Sequence, residues 1–357
     1  MTVAISKKTL TTRKYGGNSV ESFPQPHHTT WEGLEAEEQR EPLSNDQLSE
    51  VTEVDQLSDT NHKNSLSPYT DTFVFDKLFS NVLKPSKLQP FYYRSKGVTK
   101  NDDITVTSLI TVDRFDILLN NMLTYEGPFS VALHILDDNK LNSHLSKLNN
   151  FLEKYSNITE YRLDLHLIID KYPRQFNYFR NVARFFSKTE LVLPLDIDFI
   201  INKNFLKHFA KNEKLKEKLK NEKAVFILPA FEFTKDLVDT KYLDFPQTKE
   251  EITHLFGENF IVFHGNSNEG HTSTKYDKWF QSNEMYTIQP FSTKYEPYAV
   301  FNSSQVPWSD ERFTGYGANK AAWWYEIYLA GLEFWILPDD FVIHQYHKYN
   351  DAVRHNE

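Results

Sequence analysis

The sequence predicts an α/β fold built on a mostly parallel sheet. From about residue 104 onward, short runs of apolar residues alternate with amphipathic segments of helical period. Strands that alternate with helices are typical of βαβ units, whose neighbouring strands run parallel. With 357 residues, 39% of them hydrophobic, the chain can form one large domain of this class or two small ones.

The predicted elements follow one another in a regular order. Residues 69–103 are expected to form a lead-in helix and a loop before the alternation starts. Binding sites in such sheets lie beyond the carboxyl ends of the strands, so we expect the site there. The predicted strands are 104–112, 129–135, 162–169 and 191–195, and the predicted helices are 114–123, 141–155 and 174–187.

Composition divides the chain in two. Residues 1–68 are polar and acidic and offer little apolar surface, so we expect them to be disordered or loosely attached. Residues 69–357 are expected to form the folded domain. The net charge is −9 and no basic stripe runs along the chain, which argues against nucleic acid as a partner.

Two classes of feature are absent from the sequence. There are no cysteines, which excludes disulfides and cysteine-ligated metals. The chain lacks an apolar run of about 18 residues, and its first residues lack the apolar centre of a signal peptide. We therefore expect no membrane-spanning segment within this sequence.

Two aspartates directly follow the predicted strand 191–195. In extended backbone, residues i and i+2 face the same side, so Asp196 and Asp198 are expected to converge at the sheet edge. Two such charges beside an apolar core are unfavourable unless a positive group lies between them. Carboxylates suit Mn²⁺ or Mg²⁺, and such an ion could neutralise a departing diphosphate. The alternative is a strand end with two solvated acids.

The predicted helix 174–187 carries a polar stripe opposite an aromatic face. Asn177, Arg180 or Asn181, and Arg184 recur at helical spacing along that stripe. Arginine binds phosphate through paired hydrogen bonds, and asparagine can bind the edge of a base or ribose. An ordinary surface stripe explains the pattern equally well.

A third group of candidates lies near the carboxyl terminus. Asp310 or Glu311 could accept a proton as a general base, although a surface ion pair or helix cap is the simpler interpretation. Gly315 and Gly317 would permit close approach of the backbone to a ligand. His344 follows an apolar run and could bind a metal ion as a neutral imidazole, although a single histidine is more often structural.

These constellations, in this order, resemble glycosyltransferase family 49, which contains the glucuronyltransferase domain of LARGE-type enzymes and the β-1,4-glucuronyltransferases. The resemblance covers roughly residues 104–350. Seven stretches in register carry it: Thr111–Phe115 with Tyr125–Pro128, Asn177–Ala183, Leu195–Phe199, Leu228–Glu232, Gly270–Trp279, Asp310–Asn319 and Leu337–His344.

The resemblance implies a GT-A glycosyltransferase fold, with a Rossmann-like nucleotide half up to about Ile200 and a mixed acceptor half after it. It also implies inverting transfer from a UDP-sugar to a glycan acceptor, with UDP-glucuronate as the first candidate donor. The family's usual members are Golgi membrane proteins, so the resemblance implies the Golgi lumen or membrane. Because this sequence shows no signal or anchor, a cytoplasmic or truncated form stays open as an alternative. Two alternatives stay open: a metal-dependent nucleotide-sugar or phosphodiester hydrolase, and a catalytically silent glycan-binding module.

The resemblance also assigns roles to individual residues. Mn²⁺, or Mg²⁺, would be held by Asp196, Asp198 and His344. His347 is an additional candidate ligand that ranks below these three. Asp310 is the preferred base, with Glu311 second. The residues implied at the nucleotide-sugar are Asn177, Arg180, Asn181, Asp196, His271, Lys278, Gly315, Gly317 and Asn319.

Overall fold

A computed structural model describes residues 87–345 of the chain, apart from 101, 173, 234–244, 266–268 and 316. The predicted N-terminal segment 1–68 and His347 lie outside the described residues. The described strands are β1 (Lys87–Tyr93), β2 (Ile104–Ile110), β3 (Phe129–Leu136), β4 (Leu163–Asp170), β5 (Leu191–Pro194), β6 (Phe199–Ile201), β7 (Ala224–Leu228), β8 (Ala230–Phe233), β9 (Phe260–Val262), β10 (Tyr286–Thr287), β11 (Tyr298–Asn302), β12 (Glu333–Ile336) and β13 (Val342–His344).

Helices alternate with these strands, and two 3₁₀ turns, Val112–Arg114 and Glu269–Thr274, lie among them. Within the described residues, no helix is long and apolar enough to cross a bilayer. The described α-helices are α1 (Phe115–Thr124), α2 (Leu141–Lys154), α3 (Ser156–Arg162), α4 (Phe176–Phe185), α5 (Phe205–Lys211), α6 (Glu213–Asn221), α7 (Lys249–Leu255), α8 (Tyr276–Gln281) and α9 (Asn319–Leu329).

The described strands form two sheets. The larger has nine strands in the order β1-β4-β3-β2-β5-β11-β7-β12-β10. Strands β4, β3, β2 and β5 are parallel to one another, and β11 lies antiparallel between β5 and β7. The smaller sheet has the order β6-β13-β8-β9. A parallel half followed by a mixed half is the arrangement expected of the GT-A fold, so the predicted α/β class is confirmed.

The alternation predicted from residue 104 onward is also confirmed, with boundaries that differ by a few residues. The predicted lead-in helix over 69–103 is wrong for the described part of that range. Lys87–Tyr93 is a strand, and it pairs antiparallel with the outer edge of β4. Its sequence combines a proline with three aromatic residues, a composition that an edge strand tolerates.

Both faces of the larger sheet are covered by apolar side chains. Along β3, Val131, Leu133 and Ile135 belong to one core, whereas Ala132 packs with Phe179 of α4 on the opposite face. All four of these β3 residues are almost fully buried. Two buried faces explain why the central strands are near-continuous apolar runs.

A buried histidine joins the edge strand to the sheet. The backbone N–H of Phe91 donates to Nδ1 of His166 at 3.0 Å, and Nε2 of His166 lies 3.0 Å from Oγ of Ser130. Burial, together with the positive charges of Arg94 and Lys188, lowers the pKa of His166 to about 3. The imidazole is therefore neutral at physiological pH.

Helix α4 is tied to the segment that follows β11 by a buried arginine. The guanidinium of Arg184 donates to the backbone carbonyls of Ser303, Val306 and Pro307. Arg184 is 3% exposed and stacks over the ring of Trp308. The polar stripe of this helix is therefore not a solvated surface at Arg184, since this residue holds the loop that leads to Asp310.

We predict that Arg184→Met lowers the free energy of unfolding by about 2–4 kcal/mol, because buried carbonyls lose charge-assisted donors. Denaturant unfolding followed by circular dichroism measures this loss. The control is Lys147→Met on the exposed face of α2, which should unfold like the wild type. Equal stability of the Arg184→Met variant and this control would contradict the prediction.

We also predict that the pKa values of two histidines are shifted in opposite directions. His166 should stay unprotonated from pH 8 down to pH 5, because a base with a pKa of about 3 keeps its neutral form in that range. His208 should protonate at a pH above 6.5, because a hydrogen bond to Asp340 raises its pKa. Imidazole NMR shifts over this pH range measure both. A midpoint for His166 near 6 would contradict the described burial.

Candidate active site

A small, partly open cavity lies at the carboxyl ends of β2 and β5. These two parallel strands are neighbours in the sheet, and β3 and β4 continue on the other side of β2. Such a reversal of strand order is where open α/β sheets bind ligands. The lining residues are Thr107, Ser108, Leu109, Arg180, Pro194, Leu195, Asp196, Lys320, Trp323 and Trp324.

The two aspartates lie in a turn at this edge. Strand β5 ends at Pro194, and the backbone N–H of Phe199 donates to the carbonyl of Asp196 at 3.0 Å. The side chain of Asn121 holds the turn by donating to the carbonyl of Ile197 at 2.8 Å. The predicted extended backbone over Asp196–Asp198 is therefore wrong, because a turn of the type i to i+3 replaces it.

Asp196 lies between two cations. Its Oδ2 accepts hydrogen bonds from Nζ of Lys320 and from the hydroxyl of Tyr298, both at 2.8 Å. Nη2 of Arg180 is 3.9 Å from Oδ1. Burial alone would raise the pKa of Asp196, but the charges of Lys320 and Arg180 and these hydrogen bonds lower it well below its ordinary value. Asp196 is therefore ionised at any physiological pH.

Asp198 has a cation of its own. Nη1 of Arg114, which follows β2, lies 3.4 Å from Oδ1 of Asp198. The pKa of Tyr298 is raised well above its ordinary value by burial and by the nearby carboxylates of Asp196, Glu296 and Asp198. Both aspartates are therefore within electrostatic reach of one tyrosine, although each has a different basic partner.

Strand β13 brings His344 beside the aspartate turn. His344 pairs with Phe199 across the two strands, and the backbone N–H of Gln345 donates to the carbonyl of Asp198 at 2.6 Å. Two carboxylates and an imidazole are donors that suit Mn²⁺. Within the described ranges, however, no three histidine, aspartate or glutamate side chains form a group that could hold a metal. The residue types suit a divalent ion, but among the described residues these side chains do not form a metal-binding group, and the cation that contacts Asp196 is the ammonium of Lys320.

Three residues of α4 that were predicted to bind the nucleotide form hydrogen bonds within the protein. Nη1 of Arg180 donates to Oδ1 of Asn177 at 2.8 Å and to Oδ1 of Asn319 at 2.6 Å. Asn177 and Asn181 are almost fully buried, and each donates to the backbone of the 309–310 segment. The structure therefore brings Arg180 to the cavity, while the two asparagines hold the loop beside it.

The two candidate bases have different surroundings. The guanidinium of Arg312 forms paired hydrogen bonds with the carboxylate of Asp310, whose side chain is 19% exposed. Glu311 is buried, and its Oε1 accepts a hydrogen bond from Asn181 at 2.9 Å. Asp310 is thus the more accessible carboxylate, and Glu311 takes part in positioning the loop.

The glycine segment leads into α9. Gly315 and Gly317 have φ values of +86° and +91°, a backbone region that other residues rarely adopt. The carbonyl of Gly315 accepts a hydrogen bond from the side chain of Asn319 at 3.1 Å. A Cβ at either glycine would meet open space, so the turn explains these glycines without a close ligand approach.

The remaining two predicted residues lie in different places. His271 is buried, its ring stacks with that of Tyr298, and burial together with the charge of Lys320 lowers its pKa to about 3. It is therefore a neutral neighbour of Asp196. Lys278 is exposed and lies over the ring of Tyr286, on the outermost strand of the larger sheet. The described contacts do not bring Lys278 to the cavity.

Arg114, Tyr298 and Lys320 belong to this site but were missed by sequence reasoning. Arg114 had a usable signal, because it follows the carboxyl end of a predicted strand. Lys320 is in the first turn of α9, directly after the predicted Asn319. Tyr298 had no such signal in the sequence, because its position depends on β11 pairing antiparallel between two distant strands.

Comparison with known proteins gives matches to glycosyltransferases. The family model described as "Glycosyl-transferase for dystroglycan" matches residues 169–357. The chain is 25% identical over 261 residues to the glycosyltransferase-like protein LARGE of Caenorhabditis elegans, covering 72% of this chain and 40% of that protein. It is 28% identical over 267 residues to human xylosyl- and glucuronyltransferase LARGE1, covering 72% of this chain and 33% of that protein.

A further relative is rat xylosyl- and glucuronyltransferase LARGE2, 30% identical over 251 residues, with 69% of this chain and 34% of that protein covered. The chain therefore spans 33–40% of the length of these curated relatives. Among solved structures, Staphylococcus aureus TarS 1–349 matches with a TM-score of 0.40 at 16% identity, covering 68% of this chain and 60% of that chain. By the family model, which matches more than half of its residues, the chain belongs to glycosyltransferase family 49.

Proposed function

We propose that this protein is a metal-dependent, inverting glycosyltransferase that transfers a sugar from a UDP-sugar to a glycan acceptor. Glucuronic acid is the first candidate sugar, and the Golgi lumen is the compartment that the family resemblance implies. The observation that carries the proposal is the cavity at the ends of β2 and β5, where an ionised Asp196 lies beside Arg180 and Lys320.

The chemistry of the cavity suits a diphosphate. Arg180 is held at two points by Asn177 and Asn319, so its guanidinium is oriented before a ligand arrives. Preorganised cations near a developing negative charge are an effective form of transition-state stabilisation. A divalent ion bound by Asp196, Asp198 and His344 would add positive charge to the diphosphate leaving group.

The acceptor side of the reaction is assigned to Asp310. A single in-line displacement needs one base that takes the proton of the acceptor hydroxyl as that oxygen attacks the anomeric carbon. Asp310 is the more accessible carboxylate, and its backbone carbonyl is tied to Asn177 of the same helix that carries Arg180. Arg312 orients the Asp310 carboxylate through paired hydrogen bonds.

We predict that Asp198→Asn lowers transfer by roughly 100-fold, because a metal ligand is replaced by a neutral amide. EDTA should inactivate the wild type to a similar degree, and Mn²⁺ should restore it. UDP release in the presence of a glycan acceptor measures the rate, and circular dichroism verifies the fold. Asp102→Asn, which changes an exposed aspartate paired with Lys220, is the matched control. Full transfer by Asp198→Asn in EDTA would refute the metal role.

The same assay distinguishes a transferase from the two alternatives, a hydrolase and a catalytically silent glycan-binding module. A hydrolase should release UDP at the same rate with and without an acceptor, whereas a transferase should need the acceptor. Binding of UDP and Mn²⁺ without turnover across an acceptor panel would identify a silent module. A donor screen, with product linkage determined by NMR, identifies the sugar.

We predict that Asp310→Asn lowers kcat by roughly 10²–10⁴-fold while UDP binding is retained, because general-base catalysis contributes by that amount. Glu311→Gln keeps the size of the buried side chain and should have the smaller effect on kcat. Initial rates and calorimetric UDP binding measure the two quantities. If Asp310→Asn stays active and Glu311→Gln does not, Glu311 is the base.

A further inference from the structure

We propose that three exposed lysines beyond the end of β6 form a surface that binds a glycan chain bearing carboxylate groups, as uronic acids do. The lysines are Lys203, Lys207 and Lys211, which we call the lysine row. We base this on the proposed function, since each transferred glucuronic acid would add one carboxylate to the growing glycan. An acidic glycan is then the class of acceptor that the protein would extend.

The lysine row is a local concentration of unbalanced positive charge. Residues 203–211 contain three lysines and no acidic residue, whereas the whole chain has a net charge of −9. All three side chains are exposed. Within the part of the chain that the structure describes, none of the three forms an ion pair. Their charges are therefore available to a partner outside the chain.

The next helix, α6, shows the opposite arrangement. Lys218 forms an ion pair with Glu222, four residues further along the helix. Opposite charges at this spacing stabilise a helix slightly, whereas like charges at the same spacing destabilise it. Lys207 and Lys211 of α5 have this spacing and the same charge. Pairing of side chains within the helix therefore does not account for the lysine row.

Two acids lie beside α5, and their described contacts are with His208. Asp340 is 5% exposed, accepts a hydrogen bond from Asn202 at 3.0 Å and lies 2.9 Å from Nδ1 of His208. Asp339 is within electrostatic reach of His208 and Lys249. These interactions hold α5 against the segment that precedes β13, and they leave the lysine row facing solvent.

Strand β6 connects the lysine row to the aspartate turn of the candidate active site. The strand begins at Phe199, directly after Asp198, and Lys203 follows two residues after its end. At about 3.3 Å per residue, a strand of this length spans roughly 10 Å. A glycan chain that leaves the site beside β6 would therefore reach the lysine row after a short distance.

The chemistry of the lysine row suits a flexible polymer of carboxylates. Each ammonium group is a compact charge with three donors on a flexible stem, so it accepts a carboxylate in many orientations. A membrane-surface helix would instead present exposed apolar side chains beside its charges. Phe205 and Phe209 of α5 are buried, so a glycan fits this surface better than a lipid bilayer does.

The test is fluorescence anisotropy of a labelled hyaluronan oligosaccharide, a glycan that contains uronic acid, titrated with the full chain without donor sugar or metal ion. The wild type should bind, and its Kd should rise with added salt, because exposed charges are screened. In Lys203→Gln/Lys207→Gln/Lys211→Gln, the Kd should rise about tenfold, since three exposed ion pairs are lost and each contributes modestly. Circular dichroism verifies the fold of the variant.

Two further variants keep the test informative. Lys140→Gln/Lys147→Gln/Lys154→Gln removes three exposed lysines at α2 and changes the net charge by the same amount. Its Kd should stay within about twofold of the wild type, because distant exposed charges are screened. Replacing the lysine row by three arginines keeps the charge and should keep the Kd within about threefold. The arginine variant also covers the case in which the glutamine variant does not fold.

The outcomes separate this inference from the function on which it rests. Equal loss of binding in the two glutamine variants would mean that only net charge matters, and would overturn the inference. Binding to vesicles of anionic phospholipid but not to hyaluronan would identify a lipid surface and overturn it as well. A wild type that transfers sugar but does not bind hyaluronan would overturn the inference alone. A wild type that binds hyaluronan but transfers no sugar would overturn the proposed function alone.

Discussion

The site depends on the ionised carboxylate of Asp196 and the cations around it. This carboxylate lies where β5 ends, and it brings together Arg180 of α4, Lys320 of α9 and Tyr298 of β11. Elements that are far apart in the chain are thus joined at one charge. Burial opposes ionisation, and the two cations more than offset it. Without the carboxylate, Arg180 and Lys320 would face each other as uncompensated like charges.

A second set of contacts keeps the loop over residues 303–310 beside α4. Arg184 and Asn181, which lie one turn apart on the helix, donate hydrogen bonds to backbone carbonyls of this loop. Arg180 donates to the side chain of Asn319. One face of a ten-residue helix therefore positions both the cavity wall and the segment that carries Asp310. Polar residues that resemble a ligand-binding stripe in the sequence are here largely devoted to holding a loop.

Local pattern predicted most of the fold, because the alternation of apolar strands and amphipathic helices is visible within short windows. The position of the site could also be predicted, since Asp196 follows a buried strand. Two features could not. The turn at Asp196–Phe199 depends on the Asn121 side chain, and the insertion of β11 depends on pairing with both β5 and β7. Neither interaction leaves a signal in neighbouring residues, so Tyr298 was missed while Arg180 was found.

The central place of β11 has a consequence for how the chain reaches its fold. This strand is made more than 70 residues after β7, yet it is the only described element that hydrogen-bonds to both β5 and β7 in the larger sheet. Until it docks, the edges of β5 and β7 that β11 covers are both unpaired. Closing such long loops is entropically costly and slows folding. A nascent chain must therefore expose two strand edges until residue 302 has emerged, and these edges are where self-association would begin.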